Sequence, residues 1–331
     1  MKANTAFIKQ LNIETLRKAL RNAGQATKSE LADLTGLTVV TINALITELV
    51  VSKEVIENGN VPSGGGRPSM QYRYNYDYQC AAIVYGYQKN NKNCINTIVV
   101  NLAGEVLWKN DEYIETVEIK SFETVLDEVF KQYSNIKVII FGLPGEVIDE
   151  VVTINDYSNI IGPDFIPHYK NKYKVPVLAE NDINAMTYGY YRTHNSEYSD
   201  SVVGMYFPRN HSPGAGLIID GSIYYGKQHF SGEIAAMPMP KPWEEMNYFD
   251  ENEVIKNLEQ LLTVYCCTIA PSMFILYGDF FTDTIEERLK LYTEKLLSNK
   301  FIVNIEVSDY LERDYEYGLK CLALDTLWEE N

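Results

Sequence analysis

The 331-residue sequence predicts an α/β body preceded by a short helical head that ends in a two-stranded hairpin. Three observations carry this expectation. Between residues 5 and 49 apolar residues recur at helical spacing and are interrupted by glycine turns. Between residues 52 and 78, two strand-like runs flank the glycine triplet of "SGGGRPS". Beyond residue 80, apolar runs such as "IKVIIFGL" and "SMFILYG" alternate with amphipathic stretches such as "SFETVLDEVFKQYS".

The head opens with "TAFIKQLNIETLRKALRN", in which Ile8, Leu11, Ile13, Leu16 and Leu20 fall at helical spacings before Asn22, Ala23 and Gly24 end the run. Thr27 and Glu30 make a capping-box pattern for a short second helix with Leu31 and Leu34 as its apolar stripe. Gly36 suits a left-handed backbone at that helix's end. Thr38 is an N-cap for a third helix that turns Ile42, Leu45, Ile46 and Leu49 inward. Short helix, tight turn and third helix form a helix-turn-helix, whose second element lies in the DNA major groove. Thr38, Val39, Thr41 and Asn43 sit at the exposed start of that element. The hydroxyls and the amide reach phosphates and base edges, and Val39 can meet a thymine methyl.

The hairpin that follows makes a wing. Tyr72, Tyr74, Tyr76 and Tyr78 alternate and are expected on one strand face. Glycines 64 to 66 let the backbone approach another surface, so that Arg67 at the tip can enter a minor groove. A plain hinge between head and body is the other reading of the same stretch.

Charge distribution agrees with a nucleic-acid partner for the head alone. The net charge is −16, yet residues 1–73 hold nine Lys/Arg against six acids, a net of +3 that leaves −19 on the remainder. Five cysteines show no C-x-x-C pair or zinc-like spacing and read as reduced, buried thiols. The N-terminal segment lacks an apolar signal core, and no run approaches a membrane span, so a cytoplasmic protein with no membrane partner is expected.

In the body, "AAIVYGYQKNNKNCINTIVVNLAGEVLWKN" reads as strands with a turn at Ala103-Gly104, and "VPVLAENDINAMTYGYYRTH" as strand, polar turn and helix. "SVVGMYF" and "GAGLIIDGSIYYG" add strands turning at Asp220-Gly221, and the last twenty residues read as helix.

"GLPGEVID", "VPVLAENDINA", "GAGLIIDGSIYYG", "SGEIAAMP" and the closing "YGLKCLALDTLW" follow the order and spacing of the ROK (repressor, open reading frame, kinase) family. The helix-turn-helix followed by "GGGRP" resembles its transcriptional-repressor branch. The resemblance implies a winged helix-turn-helix on an actin-like, two-lobed sugar-kinase fold with the ribonuclease H-like motif. It sets expected boundaries at 1–75 for the DNA-binding domain, 76–186 plus 312–331 for the first lobe and 187–311 for the second. Family kinases begin the body with an Asp-x-Gly-Gly-Thr phosphate loop; here the stretch is "VYGYQKNN", where Tyr85 and Tyr87 are expected to fill the nucleotide space. The second phosphate segment is reduced to "RNHSPGAG", the family's zinc histidine is replaced by Ala236, and the cysteine loop that completes the zinc site is absent.

Asp182 matches the family's catalytic base, and Asn159, Asn181 and Glu233 match its sugar-contacting positions. Asn181 and Asp182 serve equally as caps for a helix beginning near Ile183. The expected function is a sequence-specific DNA-binding transcriptional regulator, a repressor of sugar-related genes. Its non-catalytic kinase-like body would form a homodimer or dimer of dimers and sense a sugar or phosphosugar, with no cofactor and no metal. The alternative is a ROK sugar kinase that phosphorylates a hexose with ATP. A scaffold controlled by another protein is a third reading.

Overall fold

The computed structural model describes residues 2–62, 68–89, 92–194, 201–208, 211–298 and 300–329. The expectation for Gly64, Gly65, Gly66 and Arg67 therefore lies outside the described residues. The chain divides into two compact units, Met1–Cys80 with Asn101–Glu105 and Leu327–Asn331, and Ala81–Val100 with Val106–Thr326.

The first unit contains α1 (Lys2–Ala23), β1 (Gln25–Thr27), α2 (Lys28–Thr35), α3 (Val39–Val51), β2 (Val55–Val61) and β3 (Ser69–Tyr74). Its strands pair antiparallel in the order β1-β3-β2. The capping box forms as expected: the Thr27 hydroxyl accepts from the Glu30 N–H, and the Glu30 carboxylate accepts from the Thr27 N–H. Gly36 takes φ 70°, and its N–H closes α2 on Ala32. The Thr38 hydroxyl accepts from the Thr41 N–H and starts α3. The two helices turn through 115°, within the range of a helix-turn-helix.

Three local expectations are corrected. Leu34 is exposed, and the buried pair on α2 is Leu31 and Ala32. At 100° per residue, a face centred between those two leaves Leu34 roughly 110° away. On α1, Ile13, Leu16 and Leu20 are buried while Ile8 and Leu11 stand out with Phe7. The 22-residue α1 is roughly 33 Å long and the eight-residue α2 beside it roughly 12 Å, so the first turns outrun their cover. Tyr76 and Tyr78 leave the strand face of Tyr72 and Tyr74, because the Asn75 side chain accepts from the Asp77 N–H and winds residues 76–78 into a 3-10 turn.

A buried ion pair ties this unit together. Glu54, just before β2, is 2% exposed and accepts from Arg17 Nη2 of α1 at 2.9 Å, from Arg17 Nε and from the Tyr74 hydroxyl of β3 at 3.0 Å. Burial first, and then the Glu54 charge, push the Tyr74 hydroxyl well above its ordinary pKa. Trp328, near the C-terminus, packs on Tyr74 with ring centroids 5.3 Å apart, and the Arg21 guanidinium lies 3.8 Å over its ring.

The second unit is built on two five-stranded sheets. The first combines β4 (Cys80–Lys89), β5 (Lys92–Asn101), β6 (Val106–Ile114), β7 (Ile136–Leu143) and, after the hairpin β8 (Gly145–Ile148) and β9 (Val151–Asn155), β10 (Val177–Asn181). The second combines β11 (Ser201–Tyr206), β12 (Gly214–Ile219), β13 (Ser222–Ile223), β14 (Met273–Tyr277) and β15 (Asn304–Val307). Their orders are β10-β7-β4-β5-β6 and β13-β12-β11-β14-β15. In each, the first strand is central, the next two extend to one side and the last two to the other. This repeated topology is the duplication expected of an actin-like, ribonuclease H-like fold. Asp220 and Gly221 both take positive φ, 51° and 79°, which makes the expected β12-β13 turn a tight hairpin.

Helices α4 (Glu123–Gln132), α5 (Phe165–Tyr173), α6 (Asp182–His194), α7 (Glu251–Thr268), α8 (Asp283–Leu297) and α9 (Leu311–Glu329) complete the unit. Helices α6 and α9 meet at glycines. A Cβ on Gly189 would lie 2.0 Å from the Asp314 carbonyl oxygen, and one on Gly318 would lie 1.8 Å from that of Ala185.

Glu54→Ala is expected to cost the first unit about 3–5 kcal/mol, because it removes the buried carboxylate that accepts from both Arg17 and the Tyr74 hydroxyl. Amide exchange resolved by residue should show the loss of protection concentrated in α1, α3 and β3. A change under about 1 kcal/mol would remove the pair from its central place.

Candidate nucleic-acid interface and ligand cleft

The residues expected to read DNA are together on the first turn of α3, but most of their polar atoms are already engaged. The Thr38 and Thr41 hydroxyls are 2.9 Å apart and share a hydrogen bond while Thr38 caps the helix. The Asn43 amide oxygen accepts from Lys28 Nζ of α2. Val39 is 54% exposed, and its neighbour Val40, which the sequence reading passed over, is 80% exposed. Lys28 was also missed; its ammonium lies 5.4 Å over the Tyr72 ring, a contact that no sequence spacing advertises.

Within the second unit a cleft of about 800 Å³ opens where the ends of β7, β10 and β11 and the start of β12 meet their adjoining loops. Of the four residues expected to bind sugar, Asn181, Asp182 and Glu233 line it. Asn159 does not line it; it stands exposed in the 3-10 turn Ser158–Ile160.

Asn181 acts as a cap. Its amide oxygen accepts from the N–H groups of Ile183 and Asn184 at 3.0 and 3.2 Å, and its amide nitrogen donates to the Gly145 carbonyl at 2.8 Å. Asp182 begins α6 with one carboxylate oxygen accepting from the Ile183 N–H at 2.8 Å. Desolvation at the cleft floor pushes its pKa up to about 7, the Ile183 N–H opposes the shift and the Asp156 charge adds to it. Asp156 in turn lies 3.1 Å from His211 Nδ1.

Glu180 is the functional candidate that sequence reasoning missed. It is buried, accepts from the Asn181 N–H and the Asn184 amide, and takes a 2.6 Å hydrogen bond from the Tyr225 hydroxyl, whose ring stacks on His229 at 4.6 Å. Burial raises its pKa against the pull of those three donors. Its signal in "VLAENDINA" was an acid inside an apolar run, but its hydroxyl partner is 45 residues away.

Two more lining side chains carry unspent polarity. The Tyr315 hydroxyl and the Trp243 indole nitrogen are buried without a hydrogen-bond partner. A buried donor left unpaired costs about 1–3 kcal/mol. The described lining holds the carboxylates Glu146, Asp156, Glu180, Asp182, Glu233 and Glu244 and no lysine or arginine. Such a wall accepts hydrogen bonds from neutral hydroxyls and repels phosphate.

In place of the family kinases' phosphate loop, β4 runs straight through Tyr85-Gly86-Tyr87. Tyr85 is buried edge-on to Tyr315 and donates to Glu316 at 2.7 Å, while Tyr87 reaches the cleft wall. Arg209 and Asn210 of "RNHSPGAG" lie outside the described residues. Among the described residues no group of three or more His, Cys, Asp or Glu side chains is placed to hold a metal ion, and no single helix is long and apolar enough to cross a membrane.

The ROK family model matches residues 92–267. The xylose repressor of Bacillus subtilis (strain 168) is 25% identical over 244 residues, covering 71% of this chain and 62% of that protein. The xylose repressor of Caldicellulosiruptor bescii is 25% identical over 243 residues, covering 70% and 59%. The chain thus spans about three fifths of the length of the curated relatives it matches. Among solved structures, a ROK family transcriptional regulator described as a homologue of the E. coli MLC protein superposes over 98% of both chains with a TM-score of 0.63 at 15% identity. A ROK hexokinase from Thermus thermophilus superposes over 76% of this chain and all of its own with a TM-score of 0.58 at 14% identity. These overlays show the actin-like architecture of the body, and the first of them is compatible with a helix-turn-helix head.

Asp182→Asn keeps the oxygen that accepts from Ile183 and removes the charge. A carboxyl that titrates near 7 when folded and near 4 when unfolded stays protonated longer in the folded chain, so wild-type stability falls as pH rises from about 4 to 7. The Asn variant should therefore gain on wild type across that window, by at most about 4 kcal/mol. Melting curves at pH 5, 6.5 and 8 check this, and parallel curves would refute the raised pKa.

Proposed function

Because the chain belongs to the ROK family, we propose that it is a transcriptional regulator that binds operator DNA through its head and a sugar effector through its cleft. The observation that carries this reading is the helix-turn-helix with its three-stranded antiparallel sheet, whose α3 starts on an exposed, capped turn. The names of the xylose repressors support repression of sugar-related genes and make xylose the first effector to test. The acidic lining favours the free sugar over a phosphosugar. Asn181, Asp182 and Glu233 are the proposed sugar contacts, with Glu180 and Tyr225 holding the floor; Asn159 joins them only through a rearrangement of its turn. Thr38, Val39, Thr41 and Asn43 face the major groove and Arg67 the minor groove. The protein acts in the cytoplasm as a homodimer or dimer of dimers, without cofactor or metal, with the head ending near residue 75 and the lobes meeting near residues 186 and 311.

A hexose kinase using ATP is the competing reading, and Asp182 favours it, since a pKa near 7 suits a general base. Phosphoryl transfer depends on positioning and charge neutralisation, however, and the strand at Tyr85-Gly86-Tyr87 supplies neither a phosphate cradle nor a metal-holding acid.

Gel shifts on the fragment upstream of its own gene should show a complex on an inverted repeat with half-sites about 34–36 Å apart or a multiple of that. Xylose, but not a phosphosugar, should weaken the complex. Binding no stronger than to random duplex sinks the proposal. Coupled ADP-release assays with hexoses and pentoses should stay at background, and turnover abolished by Asp182→Asn would establish the kinase instead.

A further inference from the structure

We propose that the head reads thymine through a methyl-lined face of α3, an inference that rests on the DNA-binding reading above. Val40, Ala44, Thr47 and Val51 are exposed at i, i+4, i+7 and i+11, so they form one outward stripe, with Val39 beside its first member. A helix-turn-helix presents this side of its second helix, and above all its first turns, to the major groove.

The side chains that ordinarily read bases by hydrogen bonding are occupied or absent. Bidentate recognition of adenine by asparagine needs both ends of the amide, and the Asn43 oxygen is held by Lys28. The Thr38 and Thr41 hydroxyls bond each other, and the Thr47 hydroxyl donates to the Asn43 carbonyl at 2.7 Å. Recognition of guanine would use arginine or lysine, and α3 has neither. The single charge on α3, Glu48, is drawn to Lys9 Nζ at 2.7 Å, which reduces its repulsion of phosphates. What α3 offers the groove is methyl groups, and the complementary feature on DNA is the C5-methyl of thymine, which no other standard base carries. Because Val39 and Val40 are consecutive, each half-site should hold neighbouring A·T pairs at the position they meet.

The test uses the full chain and a duplex it selects from a randomised library. That duplex is resynthesised with deoxyuridine replacing each thymine in turn, which keeps every hydrogen-bonding group and removes the methyl. At two neighbouring positions per half-site, affinity should fall roughly fourfold to tenfold, as expected for burial of about one methyl group at each. Val40→Ala, an exposed substitution that favours helix, acts on both half-sites and should lose up to the square of that factor on the thymine duplex and little on a duplex carrying deoxyuridine at the matching position of both half-sites. If selection succeeds but deoxyuridine changes affinity by less than twofold everywhere, methyl reading is wrong and DNA binding stands. Methyl reading is equally wrong if Val40→Ala weakens both duplexes by the same factor. If no duplex is enriched, the DNA-binding reading fails and takes this inference with it.

Discussion

The closeness with which α6 lies against its neighbours governs the second unit. The contact is made through absent side chains. On one side Gly318 lets α9 approach until only backbone separates the helices, and Gly189 returns the fit. On the other, Thr187 of α6 fills the space over Gly204 of β11 and Gly216 of β12, where added Cβ atoms would sit 2.1 and 2.5 Å from its hydroxyl. A helix wedged this tightly has little freedom to slide, since packed interiors resist displacements of even a methylene. Its N-terminus carries Asp182 at the cleft floor, so the position of the carboxylate follows from contacts about one to two turns away.

That placement accounts for the electrostatics of the cleft. Asn181 spends its amide on holding α6 to β8 through Gly145, and Glu180 is enclosed by Asn184 and Tyr225. Asp182 lacks side-chain donors of this kind and has two backbone N–H groups, that of Ile183 and its own, against desolvation and the nearby Asp156. The contrast between Glu180, bonded to two side chains, and Asp182, held only by backbone N–H groups, separates a scaffold acid from an acid available to a ligand.

The head solves a different problem. A domain of its size has little core, and it relies on a buried Arg17–Glu54–Tyr74 cluster to join α1 to the sheet. The same economy appears at α3, where the threonines that fix the start of the helix cannot also be free readers of bases. Structural duty thus moves recognition from hydroxyl and amide groups to the methyl groups left outside.

The sequence by itself determined several features that depend on neighbours along the chain. The capping box at Thr27 and Glu30, the left-handed Gly36, the Thr38 cap, the buried stripe of α3 and the turn at Asp220-Gly221 are all decided within a few residues, where local hydrogen bonding and backbone freedom set the energy. The ordered motifs of the body likewise revealed its family. The tertiary structure alone decided which polar side chains are spent. Asn43 meets Lys28, Glu180 meets Tyr225 and Asp156 meets His211 across stretches of chain that no periodicity connects. It also decided exposure: Leu11 keeps helical spacing yet stands outside the core because a stripe is buried only as far as a partner element covers it, and Leu34 lies off the face of α2 that buries Leu31 and Ala32.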